Sequence, residues 1–410
     1  MKLLFVITDL SIEAGGVTSA VCGLSEALAA RGHAITIVGL DLGGTPARPV
    51  GTQIHVFAPD SKSKLAPSRS LNAWLSQNVA QFDVVHIHGV WQHPGHYAAR
   101  WAYKHHVPYL VAPHGMLDNA ALRLRRMWVK RLAWLLWDGQ MCRRAAAIHC
   151  LNQAEYRVSP WIHKLRHVVL GNGIAGAVLA DMPRRGGFRQ AHPEWFGAAT
   201  EDSGTAAADA TERPTVAGGT GDCHAAAGGG YSRPMALFLS RIHPKKGLDR
   251  LFPVWPFVLQ KQPHALLVVA GTGPADYVQS LQNQCRALQI DNSVVWAGQL
   301  VGRAKYEALA DADLFVLPSH QEGFSMAITE AMAAGCPVVI TRPCNFDEVA
   351  GAGAGLIAED MPGFANAVAK VLADKTGRAV MGNNGRRLVQ ENYTWETVAE
   401  KAEGIYQSLG

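Results

Sequence analysis

The 410-residue chain is 48% hydrophobic and 17% charged, with a formal net charge of +5. That length is long for one core and predicts two domains of roughly 170–200 residues, and the composition is that of a soluble globular protein. The seven cysteines (22, 142, 150, 223, 285, 336 and 344) include no CxxC pair and no apolar run reaches about 18 residues, which argues against a disulfide framework, a zinc knuckle and a membrane span, and for a reducing compartment.

The opening MKLLFVITDL is interrupted by Asp9 and Glu13 and lacks a cleavage site of small residues, so residues 3–8 read as a first β-strand and not as a signal peptide. Residues 17–30 carry a helical pattern closed by Gly32. The runs 34–40, 83–89 and 108–113 are further strands. Being apolar on both faces and separated by helices, they predict a parallel sheet covered on both sides. The pattern restarts after residue 234, with strands at 235–240, 265–271, 293–298, 313–318 and 337–341. Two doubly wound α/β halves follow, and ligands in such sheets sit where the loops converge at the carboxyl ends of the strands. Between the halves, 18 of the 34 residues 197–230 are Ala or Gly, Val216 is the one large aliphatic, and there is no aromatic. Such a segment cannot bury enough apolar surface to offset ordering its backbone, so 181–233 is expected to be a disordered linker or insertion.

The candidate site residues lie just after strands. Strand 313–318 leads through Glu322 and Gly323 into a helix from about Ser325 to Ala334. Amides at residues 323–325 would then leave a helix N-terminus and suit an anionic or polyhydroxyl ligand. Glu322 and Glu330 stand eight apart, about 12 Å if helix geometry held throughout, which is comparable to the reach of a sugar diphosphate. The plain alternative is two surface acids flanking a helix start. After strand 235–240 come Arg241, Lys245 and Lys246, with Gly247 opening the next helix. Fixed cations there would stabilise the growing charge of a diphosphate leaving group. The alternative is a solvated basic loop. Gly15 and Gly16 precede helix 17–30, where glycines let amides approach a phosphate, or simply make a turn. Neither GxGxxG nor GxxxxGK[ST] is present, and Gly271-Thr-Gly273 lacks a third glycine, so a dinucleotide site and a P-loop are poorly supported.

His86 and His88 share a face of strand 83–89, His93 and His96 follow, and His114 ends strand 108–113. No Asp, Glu or Cys set at suitable spacing completes a metal site. His86 reads as a satisfied core histidine, and His114 stands where a ligand would lie. Residues 122–145 carry seven Lys/Arg against one Asp, with Trp128, Trp134 and Trp137 among leucines. That pattern suits an anionic membrane surface, or an ordinary helix burying its Trp/Leu face. Nucleic-acid binding would need a wider basic field and is not expected.

Together GGV (15–17), HIHGVW (86–91), PHGML (113–117), GNGI (171–174), SRIHPKKG (240–247), GTGP (271–274), EGFSMAITEAMAAGCPVV (322–339) and CNFDEVAGAGAG (344–355) resemble the family 4, or group 1, retaining glycosyltransferases of the GT-B fold. The resemblance covers about 350 residues, of which the EX7E block is the most specific part. It implies two Rossmann-like domains facing each other across a cleft. Residues 1–175 would bind the acceptor, completed by a C-terminal helix at about 393–410, and 234–392 would bind the nucleotide sugar. By resemblance Arg241 and Lys246 bind the diphosphate, and Glu322 with the backbone of Gly323, Phe324 and Ser325 contacts the donor sugar. Glu330 holds the ribose, Gly15 and Gly16 approach the phosphate, and His114 lies beside the sugar. His88 and Trp91 are candidates on the acceptor side. No metal or other cofactor is expected. The partners would be a nucleotide sugar, a saccharide or lipid-linked acceptor, and an anionic membrane surface through 122–145. The location would be cytoplasmic, peripheral to the inner membrane face, in cell-surface polysaccharide biosynthesis. A sugar-nucleotide epimerase of the same fold and a non-catalytic binding protein are the alternatives.

Overall fold

A computed structural model describes residues 1–119, 122, 127–196 and 233–409. Residues 123–126 of the basic stretch, and 197–232, on which the expectation of disorder rests, lie outside the described residues.

Seven parallel strands make the first sheet: β1 (Lys2–Asp9), β2 (Ala34–Leu40), β3 (Thr52–Phe57), β4 (Val84–His88), β5 (Tyr109–Ala112), β6 (Ala147–Cys150) and β7 (His167–Val169), in the order β3-β2-β1-β4-β5-β6-β7. Six make the second: β8 (Met235–Leu239), β9 (Leu266–Ala270), β10 (Val294–Gly298), β11 (Leu314–Leu317), β12 (Val338–Thr341) and β13 (Gly355–Ala358), in the order β10-β9-β8-β11-β12-β13. β9 and β11 are wholly apolar, and they, β4 and the middle of β1 are buried on both faces because helices cover both sides. β3, β6, β7 and β13 were not foreseen. β3 is a half-exposed edge strand, and the others have only three or four residues.

In each sheet the strand order reverses once, between β1 and β4 and between β8 and β11. A crevice opens there because successive loops leave in opposite directions, which makes it the natural ligand position. The chain crosses between the sheets twice, and the two crossings run side by side. Ile174 N donates to Tyr393 O at 2.7 Å, and Trp395 N donates to Ile174 O at 3.0 Å. Gly173 is required at this approach, since a Cβ would fall 2.6 Å from Trp395 N. The final helix, Trp395–Gln407, then lies on the first sheet's side, with Val398, Ala399, Ala402 and Tyr406 in a core shared with Leu3, Phe5 and Leu24.

The linker expected from residue 181 starts too early. Short helices at Gly187–Ala191 and Pro193–Phe196 belong to the second domain, with Phe188 and Phe196 buried in its core. Arg189 is buried beside Asp313 at 2.7 Å, and the Asp311 carboxylate accepts from Arg189 N at 2.7 Å. Two aromatics and a paired arginine give this segment the burial that the Ala/Gly tract lacks. Emptying a phenylalanine site costs about 3–5 kcal/mol. Phe188→Ala should therefore lower stability by about 3 kcal/mol in urea unfolding, whereas a mere spacer would show no change.

Candidate active site

The loops after β8 and β11 are locked together at the second reversal. Gly247 takes φ 77°, and a Cβ there would lie 2.0 Å from Pro318 O, so only glycine lets the loops touch. His320 N donates to Lys245 O at 2.8 Å across the same contact. This brings Lys246 Nζ to 2.7 and 2.9 Å from the two carboxylate oxygens of Glu322. Ser319 Oγ donates to Glu322 Oε1 at 2.5 Å, and Asn345 Nδ2 donates to Glu322 O at 2.8 Å. Glu322 is thus buried, paired and held through both side chain and backbone. Arg241 is exposed nearby in sequence, with no side-chain partner among the described residues. Burial, and then the charges of Arg241, Lys245 and Lys246, lower the His243 pKa.

The helix after Glu322 spans only Met326–Ala333, so the first four residues of the EX7E block are extended loop and a uniform helical spacing does not apply. Ser325 is the N-cap but makes no side-chain cap, and its carbonyl accepts from the Ile328 and Thr329 amides at 3.2 and 3.4 Å. The Phe324 ring packs on Phe346 and Tyr393, with centroids 5.2 and 5.8 Å away, and so anchors the loop. Glu330 is paired with Lys305 Nζ at 2.7 Å. Burial opposes the Lys305 charge, but Glu330 outweighs it and the ammonium pKa is raised. Lys305 and Ser319 escaped the sequence reading. The one available signal was the place of Ser319 just after β11; Lys305 lies in the helix Gly302–Asp311 that follows β10.

At the first reversal Gly15 adopts φ 84° and ψ −131° as the N-cap of the helix Gly16–Ala30, and nothing lies within 4 Å of a Cβ on Gly15 or Gly16. The backbone there is open to a ligand. His114, at φ 53°, follows β5, and its Nε2 lies 3.0 Å from His88 Nδ1. The left-handed backbone of a bulky residue is uncommon and is a mark of functional sites. A Cβ on Gly115 would sit 3.0 Å from Gly323 Cα, so the loops of the two sheets meet here. His114, Gly115, Gly323 and Glu322 are thereby brought to one place.

His88 is stacked on His114, with ring centroids 5.3 Å apart. It is buried behind His114, at the end of β4, and its Nε2 has no hydrogen-bond partner among the described residues. Trp91 is half-buried at φ 76°, edge-on to Trp161 at 5.9 Å, and its backbone N–H donates to Asp138 Oδ1 at 2.8 Å. His86 is the satisfied core histidine expected. His149 Nε2 lies 2.7 Å from Leu170 O, a carbonyl that can only accept, so His149 Nδ1 is bare. His86 Nε2 therefore donates to it at 3.0 Å, and His86 Nδ1 accepts from Tyr406 Oη at 2.9 Å. Among the described residues no group of three or more His, Cys, Asp or Glu is placed to hold a metal ion.

The basic stretch is not one continuous α-helix. Met127–Ala133 widens into a π-helical turn at Trp134–Asp138 before Gly139–Arg144. A Cβ on Gly139 would meet Trp134 O at 2.4 Å, so the glycine permits the wide turn. Trp128, Leu132, Leu135, Leu136 and Trp137 are exposed. No helix among the described residues is long and apolar enough to cross a membrane.

Comparison with known proteins agrees with this geometry. The profile described as Glycosyl transferases group 1 matches residues 230–388, and that described as Glycosyl transferase 4-like domain matches 15–173. An uncharacterised glycosyltransferase of Methanocaldococcus jannaschii is 32% identical over 177 residues, 42% of this chain and 44% of that protein. A GDP-mannose-dependent monoacylated alpha-(1-6)-phosphatidylinositol monomannoside mannosyltransferase of Corynebacterium glutamicum is 30% identical over 184 residues, 43% and 47% of the two chains. The chain thus spans about half the length of the curated relatives it matches. HepE of Anabaena, solved in complex with UDP and glucose, superposes with a TM-score of 0.71 at 17% identity, over 100% of both chains. Two doubly wound sheets whose strand-end loops meet in this way define a protein of the GT-B fold. The chain belongs to the group 1 glycosyltransferases.

The histidines beneath this site are held neutral. Burial, then neighbouring histidines, pushes His86 and His88 well below the usual range and His114 to about 3. Burial takes His149 to about 4. In the unfolded chain each would protonate below about pH 6.5, so the stability held at neutral pH is lost as pH falls from about 6.5 towards these values. Glu155 acts in the opposite sense. Burial raises it to about 7, so between about 4.5 and 7 the native state holds one proton the unfolded chain has released. Four histidines outweigh one carboxyl, and net stability falls with acid. His149→Gln should make the slope of unfolding free energy against pH, between pH 6 and 5, shallower by about 1.4 kcal/mol per pH unit. An unchanged slope would mean that His149 is already protonated in the native state.

Proposed function

We propose that the protein transfers a hexose from a nucleoside diphosphate sugar to a hydroxyl of a saccharide or lipid-linked saccharide, with retention at the anomeric carbon. The observation that carries this reading is the Lys246–Glu322 pair at the β8/β11 reversal, beside the contact of Gly323 with the His114–Gly115 loop. The cation and the carboxylate come from the second sheet, and the His114–Gly115 loop reaches them from the first. The UDP and glucose bound to Anabaena HepE and the GDP-mannose named for the Corynebacterium relative support a nucleotide sugar as donor. The phosphatidylinositol mannoside in that relative's name supports a lipid-linked acceptor.

In this reading Arg241 and Lys246 take the diphosphate. Its arrival draws Lys246 towards phosphate oxygens and leaves Glu322 able to accept from sugar hydroxyls. Charge growing on the leaving phosphate then meets fixed cations in a site that excludes water. Glu330, steadied by Lys305, accepts from the ribose hydroxyls, and amides at Gly323, Phe324 and Ser325 face the sugar. Gly15 and Gly16 let the helix N-terminus of the first domain approach the phosphates. His114, kept neutral, contributes hydrogen bonds and no charge. The acceptor proton passes to the departing phosphate oxygen, so no enzyme base is needed, and turnover needs no metal. The exposed Trp128, Leu135 and Trp137, with Arg131, Arg143 and Arg144 nearby in sequence, would rest on an anionic membrane and bring the active site to its acceptor. That geometry suits a cytoplasmic enzyme of cell-surface polysaccharide synthesis.

Purified protein given a panel of sugar nucleotides should bind and turn over at least one, with EDTA leaving the rate unchanged. A folded protein inert towards every donor would refute the proposal. Lys246→Ala and Glu322→Ala should each lower kcat about 10²–10³-fold, the scale seen when a group stabilising transition-state charge is removed. Vesicle sedimentation should show binding to anionic lipid that weakens with salt and with Trp128→Ala. Binding indifferent to lipid charge would argue for a different role for this face.

A further inference from the structure

Directly after β6, the segment Leu151–Glu155 reaches both loops that meet over the site. Glu155 is buried, and its two oxygens accept from Gly115 N and Leu151 N, each at 2.6 Å. Gly115 adjoins His114, so this carboxylate fixes the loop that presents the His114 ring. Asn152 is buried and caps the helix Gln153–Val158 by accepting from Glu155 N at 2.7 Å. The other end of the same amide crosses to the second domain, where Asn152 Nδ2 donates to Gly323 O at 2.9 Å. Capping needs only the side-chain oxygen, so serine or aspartate would serve it as well. The amide nitrogen is the part that reaches Gly323.

The consequence follows from the planarity of the peptide. In a trans peptide the C=O and the following N–H point in opposite directions. Holding the Gly323 carbonyl towards Asn152 therefore turns the Phe324 N–H away from the first domain, back towards the second. That N–H is one of the donor-sugar amides in the proposed reaction.

We propose that Asn152 and Glu155 are positioning residues for the transfer: Glu155 sets the His114 loop, Asn152 sets the Gly323–Phe324 peptide, and the adjacency of the two residues fixes one against the other as the domains meet. Neither touches the substrate. The inference rests on the proposed transferase reaction, and its test separates the two.

Asn152→Asp and Asn152→Ser keep the capping oxygen and remove the donor to Gly323. The expected result is a Tm within about 2 °C of wild type, because the cap survives. The Kd for the nucleoside diphosphate alone, measured by calorimetry, should stay within twofold. The kcat should fall about tenfold, the scale of one well-made hydrogen bond lost in the transition state. Small-angle scattering with saturating nucleotide sugar should show the wild type contracting more than either variant. Glu155→Gln should lower kcat and leave nucleotide affinity unchanged. Wild-type kcat in both Asn152 variants, or nucleotide affinity falling by the same factor as kcat, would overturn the inference. So would failure of both Asn152 variants to fold, which would make the residue structural. If the wild type turns over no donor, the transferase reading fails, and equal contraction of wild type and variants on the nucleotide that binds would then overturn this inference as well.

Discussion

A carboxylate taken out of water stays charged only if something opposite sits against it, and at the β8/β11 reversal that partner is Lys246. Much of the site is arranged around this pair. The loop contact at Gly247 and Pro318 exists so that the cation of one strand end can reach the carboxylate of the other. Ser319 and Asn345 then hold Glu322 in place. Such a pair is neutral as a whole and ready to exchange partners. In the proposed reaction the two negative charges of the donor's diphosphate would draw the lysine away, and sugar hydroxyls would take its place on the carboxylate. The same logic recurs at Glu330 and Lys305.

The first domain answers with neutral hydrogen bonding. His86, His88 and His149 lie with His114 at the base of its loop, and burial, reinforced by neighbouring histidines for all but His149, makes each a poor place for a second proton. The chain from Tyr406 through His86 and His149 to Leu170 O has a single direction, imposed by the carbonyl at its end. It ties the last helix to the sheet it caps and to the strand end just before the first interdomain crossing. A cationic first domain would repel the cations that the second domain gathers at Arg241, Lys245 and Lys246. A neutral one lets the two strand-end surfaces come together.

Where sequence reading went astray, the errors have a common cause. Residues 187–196 were grouped with the Ala/Gly tract because they adjoin it, yet Phe188, Arg189 and Phe196 find burial against the second domain. His88 shares with His114 a position at a strand end and lies against both His114 and His86, a grouping that the pattern along the chain does not show. Whether a polar side chain points to ligand or to core depends on what packs opposite, and one chain's local pattern does not contain that.

Local chemistry did determine a good deal. Apolar β-branched runs broken by helices require parallel sheets, and parallel sheets require strand-end sites, so Arg241, Lys246, Glu322 and His114 were legible as strand-end residues. The EX7E block and its neighbours were enough to give the family. Strand order was beyond reach, because it is settled by which helix faces pack and not by any single run of residues. With the order came the reversal points, and with them the fact that Lys246 and Glu322, 76 residues apart, form one ion pair. Lys305, Asn152 and Glu155 carry no motif at all. They acquire a role only when folding sets them within 3 Å of Glu330, Gly323 and Gly115, distances that no spacing along the chain encodes.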